Sequence, residues 1–122
     1  MVVGRPGLSP KNVKSLEGEQ GLKIFNVPDT TCHYLAMNQK KAPFDNKLVR
    51  QAINHCVDAP AIVKNIFDGI GYSVDGPVGP RVIGADPKLK RYPYDPHRAR
   101  QLLAQAGYPN GFKTTLSVAS GV

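Results

Sequence analysis

The sequence contains no tryptophan, few cysteines and no apolar run long enough to span a bilayer. Cys32 and Cys56 lack the C-x-x-C spacing of a zinc or redox motif, so they predict no metal site. They could pair in an oxidising compartment, although buried, unpaired thiols are the favoured interpretation. The opening residues MVVGRPGLSP lack a charged segment followed by an apolar core. We therefore expect no secretory signal in this chain.

Acidic residues are scarce, since 16 Lys and Arg against 9 Asp and Glu give a net charge of +7. Clustered cations bind a phosphate backbone by releasing its counterions, which raises the hypothesis of a nucleic-acid partner. The basic residues are scattered, however, and no aromatic residues alternate with them as in a base-stacking platform. We expect a basic surface without a nucleic-acid partner. A small basic interaction module, binding nucleic acid or an assembly partner, stays open as the alternative.

The sequence also lacks a recognisable active site. Asp45, Asp58 and Asp95 each precede a predicted helix, where capping explains the carboxylate without acid–base chemistry. No oxyanion loop or nucleophile elbow is present. The histidines are far apart in sequence, and each is expected to be solvated or at the edge of the core: His33, His55 and His97. We therefore predict that the chain is not an enzyme and binds no cofactor.

Helical periodicity is strongest between residues 45 and 69. Apolar residues recur at spacings of three and four from Leu48 to Val57, which predicts one buried helical face. The opposite face is polar and carries Lys47, Arg50, Gln51 and Asn54. Either Asp45 or Asn46 can cap this helix.

A second helix is predicted directly after the first. Asp58 is its expected cap, and Pro60 falls in its first turn, where the missing N–H costs little. Ala61, Ile62, Ile66 and Phe67 form its apolar stripe, and Gly69 is its expected end.

Further elements lie on both sides of this helix pair. Ser9 and Pro10 predict a short helix, and Asp95 and Pro96 begin a longer one that ends at Gly107. Its apolar stripe consists of Ala99, Leu102, Leu103 and Ala106. Alternation and β-branched residues predict strands at 22–27, 30–38 and 112–119. The segment 69–94 is rich in glycine and proline and predicts a long loop.

Four segments, in order, resemble motifs of the family 5 extracellular solute-binding proteins, which deliver peptides to ABC importers. They are YLAMN at 34–38, PFDNKLVRQAINHCVDAPAIV at 43–63, the Gly/Pro loop around Gly76-Pro77, and YDPHRARQLLAQAGYP at 94–109. Four ordered motifs are a much stronger signal than one. Ala59 and Pro60 depart from the family pattern, which has a basic residue and commonly Glu at these positions.

The resemblance implies an α+β fragment of a type II periplasmic-binding-protein-like fold, in which two lobes surround a cleft. Residues 1–41 would be a lobe-crossover segment with a short helix and two strands. Residues 42–122 would form a partial second lobe with three helices, the long Gly/Pro loop and a terminal strand. The Gly/Pro loop would be ordered and lie over the lobe. Because family members are several times longer, we expect an excised piece.

The resemblance implies capture of di- or oligopeptides in the periplasm or outside the cell. The parent protein would be membrane-associated and would deliver the peptides to an ABC permease. Tyr34, Asn38, Tyr72 and Gly76 are the candidate ligand-binding residues. Tyr34 has an alternative role in the core, with its hydroxyl at the edge. Relatives also bind nickel chelates, opines and oligosaccharides, so ligand identity stays open. Exposed apolar faces and an unpaired strand edge predict self-association.

Overall fold

The structure is a computed structural model that describes residues 9–25, 30 and 32–118. These residues form four α-helices: α1 at Pro10–Leu16, α2 at Lys47–Cys56, α3 at Ala59–Asn65 and α4 at Pro96–Gln105. Among the described residues, no helix combines the length and the apolar character needed to cross a membrane.

The helices begin where the sequence predicts. The side chains of Ser9, Asp58 and Asp95 accept hydrogen bonds from backbone amides in the first turns of α1, α3 and α4. For α2 the cap is Asn46, whose Oδ1 accepts from the Leu48 amide at 2.9 Å. Each bond satisfies an amide that the helix itself leaves unpaired.

The end of α4 is a glycine turn. Gly107 has a φ of 90°, a left-handed conformation that glycine adopts without a Cβ penalty. Its amide donates to the Ala104 carbonyl at 3.1 Å, and the Tyr108 amide donates to the Leu103 carbonyl at 2.8 Å. These two bonds form a Schellman motif and confirm Gly107 as the predicted stop.

The core lies between α2 and α4. Ala52 is fully buried, and Ala99 and Leu102 are 1% and 4% exposed. Leu48 and Leu103 pack around these three residues. Alanines on the facing surfaces let the helices approach closely, and burying one leucine stabilises the fold by about 1.5–3 kcal/mol. The predicted apolar stripes of α2 and α4 therefore supply the core, although Val57 at the end of the α2 stripe is 40% exposed.

The apolar stripe of α3 is not buried. Ile62 and Ile66 are 42% and 69% exposed, although the sequence assigns both to the apolar stripe of this helix. Phe67 is half-buried, with its ring centroid 5.5 Å from that of His33. Within the described residues, no helix packs against α3 as α4 packs against α2. Amphipathic spacing shows which face can be buried, but burial also requires a partner surface.

None of the three predicted strands forms over the described residues. Residues 22–25, 32–38 and 112–118 carry no strand, and no backbone hydrogen bond joins one of these segments to another. A strand is stabilised by hydrogen bonds to a neighbouring strand, which these segments lack here. Residues 26, 27, 31 and 119 of the predicted strands lie outside the described part. The proposed domain boundary at residues 41 and 42 stays a prediction.

The long loop is anchored on the last turn of α2. The Asp95 amide donates to the His55 carbonyl at 2.9 Å, and Nδ1 of His55 lies 2.9 Å from the Pro93 carbonyl oxygen. The His55 ring also makes an edge contact with Tyr92, at 5.1 Å between centroids. His55 is 9% exposed, as expected for a histidine at the edge of the core. The loop therefore returns to the helix pair just before α4 begins.

Both cysteines are unpaired, with Cys32 half-buried and Cys56 exposed. The expectation of burial is wrong for Cys56. The buried residues of α2 are Val49, Ala52 and His55, so the covered stripe passes through His55. Cys56 follows Ala52 by four residues and so falls on the same side of α2, but it is the last residue of the helix, where that side is left uncovered in the described structure.

Candidate functional site

A polar groove lies along α2 on the side away from α4. Its volume is about 280 Å³. Lys47, Arg50, Gln51 and Asn54 line it from α2, and Met37, Gln39 and Tyr92 complete it from the neighbouring segments. The two charged residues of this lining, Lys47 and Arg50, are both cationic. The groove is therefore electropositive and rich in hydrogen-bond donors.

Arg50 is held in position by backbone carbonyls. Its Nη1 donates to the carbonyl oxygens of Phe44 and Asp45, at 2.8 and 2.9 Å. No carboxylate of the described residues forms an ion pair with this half-buried guanidinium. The groove thus contains an oriented positive charge that no side-chain anion within the described chain neutralises.

Two amide side chains of the groove are also oriented. Nδ2 of Asn54 donates to the Arg50 carbonyl at 2.8 Å, and Nε2 of Gln51 donates to the Tyr92 hydroxyl at 3.4 Å. Both residues belong to the polar face that helical spacing assigns to α2. Sequence reasoning identified this face but did not select it as a site, because the flanking segments that complete the groove have no helical pattern.

A second cavity, of about 540 Å³, lies within the Gly/Pro loop. Its lining is largely apolar, including Val74, Pro77 and Leu89, with Asp75 and Asp86 as the charged groups. Backbone turns fold this loop, and the Arg91 guanidinium donates to the Ser73 hydroxyl near its two ends. The cavity volume falls within the range of small-molecule pockets.

Of the candidate ligand-binding residues, Gly76 lines the loop cavity. A Cβ on Gly76 would lie 3.1 Å from Cδ1 of Leu89, so an alanine there would require the end of the Leu89 side chain to move by a few tenths of an ångström. Tyr72 is 48% exposed, and its hydroxyl lies 3.3 Å from the position that a Cβ on Gly79 would take. Both residues thus belong to one folded loop.

Tyr34 and Asn38 lie on the extended segment before α2. Tyr34 is 84% exposed, so its alternative assignment to the core is wrong in this structure. Oδ1 of Asn38 accepts from the Lys40 amide at 3.0 Å, and its carbonyl accepts from the Lys41 amide at 3.1 Å. Asn38 therefore forms the turn that leads into α2. Its neighbours Met37 and Gln39 line the polar groove, whereas Tyr34 and Asn38 line neither cavity.

Within the part of the chain that the structure describes, no group of three or more His, Cys, Asp or Glu residues could hold a metal ion. Among the described residues, Nζ of Lys14 and Oδ2 of Asp68 form an ion pair at 3.5 Å. That exposed pair joins α1 to the turn after α3.

Comparison with known proteins finds one family model over almost the whole chain. Residues 4–121 match the bacterial extracellular solute-binding proteins, family 5 Middle. Heme-binding protein A of Haemophilus influenzae is 51% identical over 81 residues, which are 66% of this chain and 15% of that protein. Glutathione-binding protein GsiB of Escherichia coli strain K12 is 43% identical over 101 residues, which are 83% of this chain and 20% of that protein.

A solved structure shares the fold. It is the ABC transporter-associated periplasmic binding protein DppA from Helicobacter pylori in complex with the peptide STSA. The TM-score is 0.74 at 37% identity, and the match covers 88% of this chain and 21% of that one. The described chain therefore has the fold of a segment of a periplasmic binding protein, and it spans about a fifth or less of the length of these relatives. This chain belongs to the family 5 bacterial extracellular solute-binding proteins.

Proposed function

We propose that this chain is part of a solute-binding protein that captures di- or oligopeptides in the periplasm or outside the cell and delivers them to an ABC permease. The observation that carries the proposal is the fold match to DppA, whose structure contains the peptide STSA. The role is binding without catalysis. A cleft between two lobes would enclose the ligand and close by a hinge motion.

Ligand class is the finer part of this proposal. GsiB, by its name, binds glutathione, and the Haemophilus influenzae relative binds heme. One scaffold thus serves chemically different ligands, and fold alone does not choose among them. Peptide is favoured because the structural match with a bound solute is a peptide complex.

The candidate contacts of the ligand are Tyr34, Asn38, Tyr72 and Gly76. Tyr34 is well exposed for a residue of its size, and so can contribute apolar area and a hydroxyl to a bound molecule. Gly76 lines the loop cavity and has no side chain, so its backbone is available for main-chain hydrogen bonds to a bound peptide.

A segment exchange tests the function. The matching segment of Helicobacter pylori DppA is replaced by this chain, and binding of STSA, glutathione and heme is measured by calorimetry. We expect the chimera to bind STSA with an affinity within about tenfold of the parent, or 1.4 kcal/mol. A correctly folded chimera that binds glutathione or heme and not STSA would overturn the peptide assignment.

Tyrosine substitutions in the same chimera test the site. Tyr34→Ala and Tyr72→Ala should each weaken peptide binding by about 1–3 kcal/mol if the rings contact the ligand. Tyr94→Ala is the matched control, because Tyr94 is 53% exposed and outside the candidate set. Equal affinity in all three variants would remove both tyrosines from the site.

The alternative, a small basic interaction module, rests on the net charge of +7. Salt-dependent binding of this chain to DNA of unrelated sequence would favour it. Absence of such binding at low ionic strength would leave the transport role as the proposed function.

A further inference from the structure

The polar groove of α2 has features that the proposed peptide site does not use. Its charged lining residues, Lys47 and Arg50, are both positive, and its amide donors are Gln51 and Asn54. From these observations we infer that the groove is a separate binding site for a small carboxylate.

The charge balance of the groove favours an anion. The Lys47 ammonium forms no hydrogen bond or ion pair within the described residues. Arg50 is bound to carbonyl oxygens, which orient its guanidinium without cancelling its charge. Two unneutralised cations on adjacent turns of one helix repel each other, and a bound anion between them relieves that repulsion.

The donor geometry favours a carboxylate. With Nη1 of Arg50 occupied by two carbonyls, the remaining N–H groups of its planar guanidinium can still meet a planar oxyanion. Orientation before binding reduces the entropy that the side chain loses when the anion binds. Lys47, which also lines the groove, supplies a second and more flexible positive charge.

The size of the groove limits the ligand. Its 280 Å³ lies just below the usual range of pockets that enclose drug-sized molecules. The site therefore accepts a small acid, or the terminal carboxylate of a larger molecule, and does not enclose an oligopeptide. The methylenes of Met37 and the ring of Tyr92 provide apolar contact for the short carbon chain of such an acid.

The experiment uses this chain and sodium acetate as the probe. Amide spectra recorded by nuclear magnetic resonance follow the side-chain NH₂ groups of Gln51 and Asn54 and the Nε–H of Arg50. Sodium chloride at equal ionic strength controls for screening. We expect saturable shifts of these signals with acetate and none with chloride. Shifts that are equal for the two salts, or a tighter complex with inorganic phosphate than with acetate, would overturn the assignment.

Substitutions separate the site from general charge. Lys47→Glu should weaken acetate binding by at least about tenfold because it replaces a cation by an anion, whereas Lys47→Arg should retain binding. Lys64→Glu is the matched control, since Lys64 is an exposed cation on α3 outside the groove. Circular dichroism confirms that each variant keeps its helices. Equal loss of affinity in Lys47→Glu and Lys64→Glu would show a general charge effect and contradict the proposal.

Discussion

The backbone amide of Asp95 donates a hydrogen bond to the carbonyl oxygen of His55, with 2.9 Å between the two atoms. The same aspartate caps α4 through its side chain, with Oδ1 2.9 Å from the Arg98 amide. Asp95 therefore joins the end of α2 to the start of α4 by its backbone and begins α4 by its carboxylate. This junction sets where the second helix of the core starts.

Replacement of His55 by Ala should destabilise the fold by about 1–3 kcal/mol. The variant loses the part-buried hydrogen bond of Nδ1 to the Pro93 carbonyl, the ring contact with Tyr92 and the burial of the imidazole itself. Urea unfolding followed by circular dichroism measures the change. His97→Ala, at an exposed position of α4, is the control and should change stability by less than about 0.5 kcal/mol. Similar losses in both variants would contradict the anchoring role of His55.

Enlarging a core alanine should be costly. Ala99 is 1% exposed and packs against Ala52, so Ala99→Leu should destabilise by about 1–3 kcal/mol through overpacking. Ala104→Leu makes the same chemical change at an exposed position of the same helix and should be nearly neutral. The difference in unfolding free energy between the two variants isolates packing. If Ala104→Leu is the more harmful change, the assigned core face of α4 is wrong.

Two substitutions test whether Asn46 or its neighbour Asp45 caps α2. Asn46→Ala should cost about 0.5–2 kcal/mol because the Leu48 amide loses its acceptor. Asp45→Ala should cost much less, since Asp45 contributes its backbone carbonyl to Arg50 and that group is unchanged. Thermal unfolding of both variants distinguishes them. The reverse order of stabilities would assign the cap to Asp45.

Self-association follows from the exposed apolar residues at the end of the chain. Leu116 and Val118 are 68% and 77% exposed on a segment that pairs with no strand in the described part of the chain, which favours pairing between copies. Sedimentation velocity should show oligomers that increase with concentration, and Leu116→Lys with Val118→Lys should reduce them. Ile83→Lys, at a fully exposed loop position, is the control. A monomer at all concentrations would refute this expectation.

The helices were predictable from sequence because their signals are local. A cap such as Asp58 and a stop such as Gly107 act within one turn of the chain, and the structure places both as expected. The strands could not be predicted reliably from sequence, because a segment such as 112–118 becomes a strand only beside another strand. Burial of His55 also depended on a distant carbonyl, that of Pro93, which no helical periodicity identifies.

In the candidate site, too, the local features were predictable from sequence and the long-range contacts were not. Helical spacing placed Lys47, Arg50, Gln51 and Asn54 on one face, which is the face that lines the groove. The contribution of Tyr92 could not be predicted, because it reaches this face through a loop of irregular backbone. The roles of Tyr34, Asn38, Tyr72 and Gly76 in ligand binding stay predictions.

The loop between α3 and α4 is held at both ends by backbone hydrogen bonds. The Gly69 amide donates to the Val63 carbonyl at 2.9 Å at one end, and the Asp95 amide donates to His55 at the other. Since its ends are fixed by contacts outside the loop, extra residues within it add mainly closure entropy, about 0.6 kcal/mol for each doubling of length. The α2–α4 pair can therefore remain folded while insertions and deletions reshape this loop, which makes it the part of the chain where new recognition can evolve at least cost to stability.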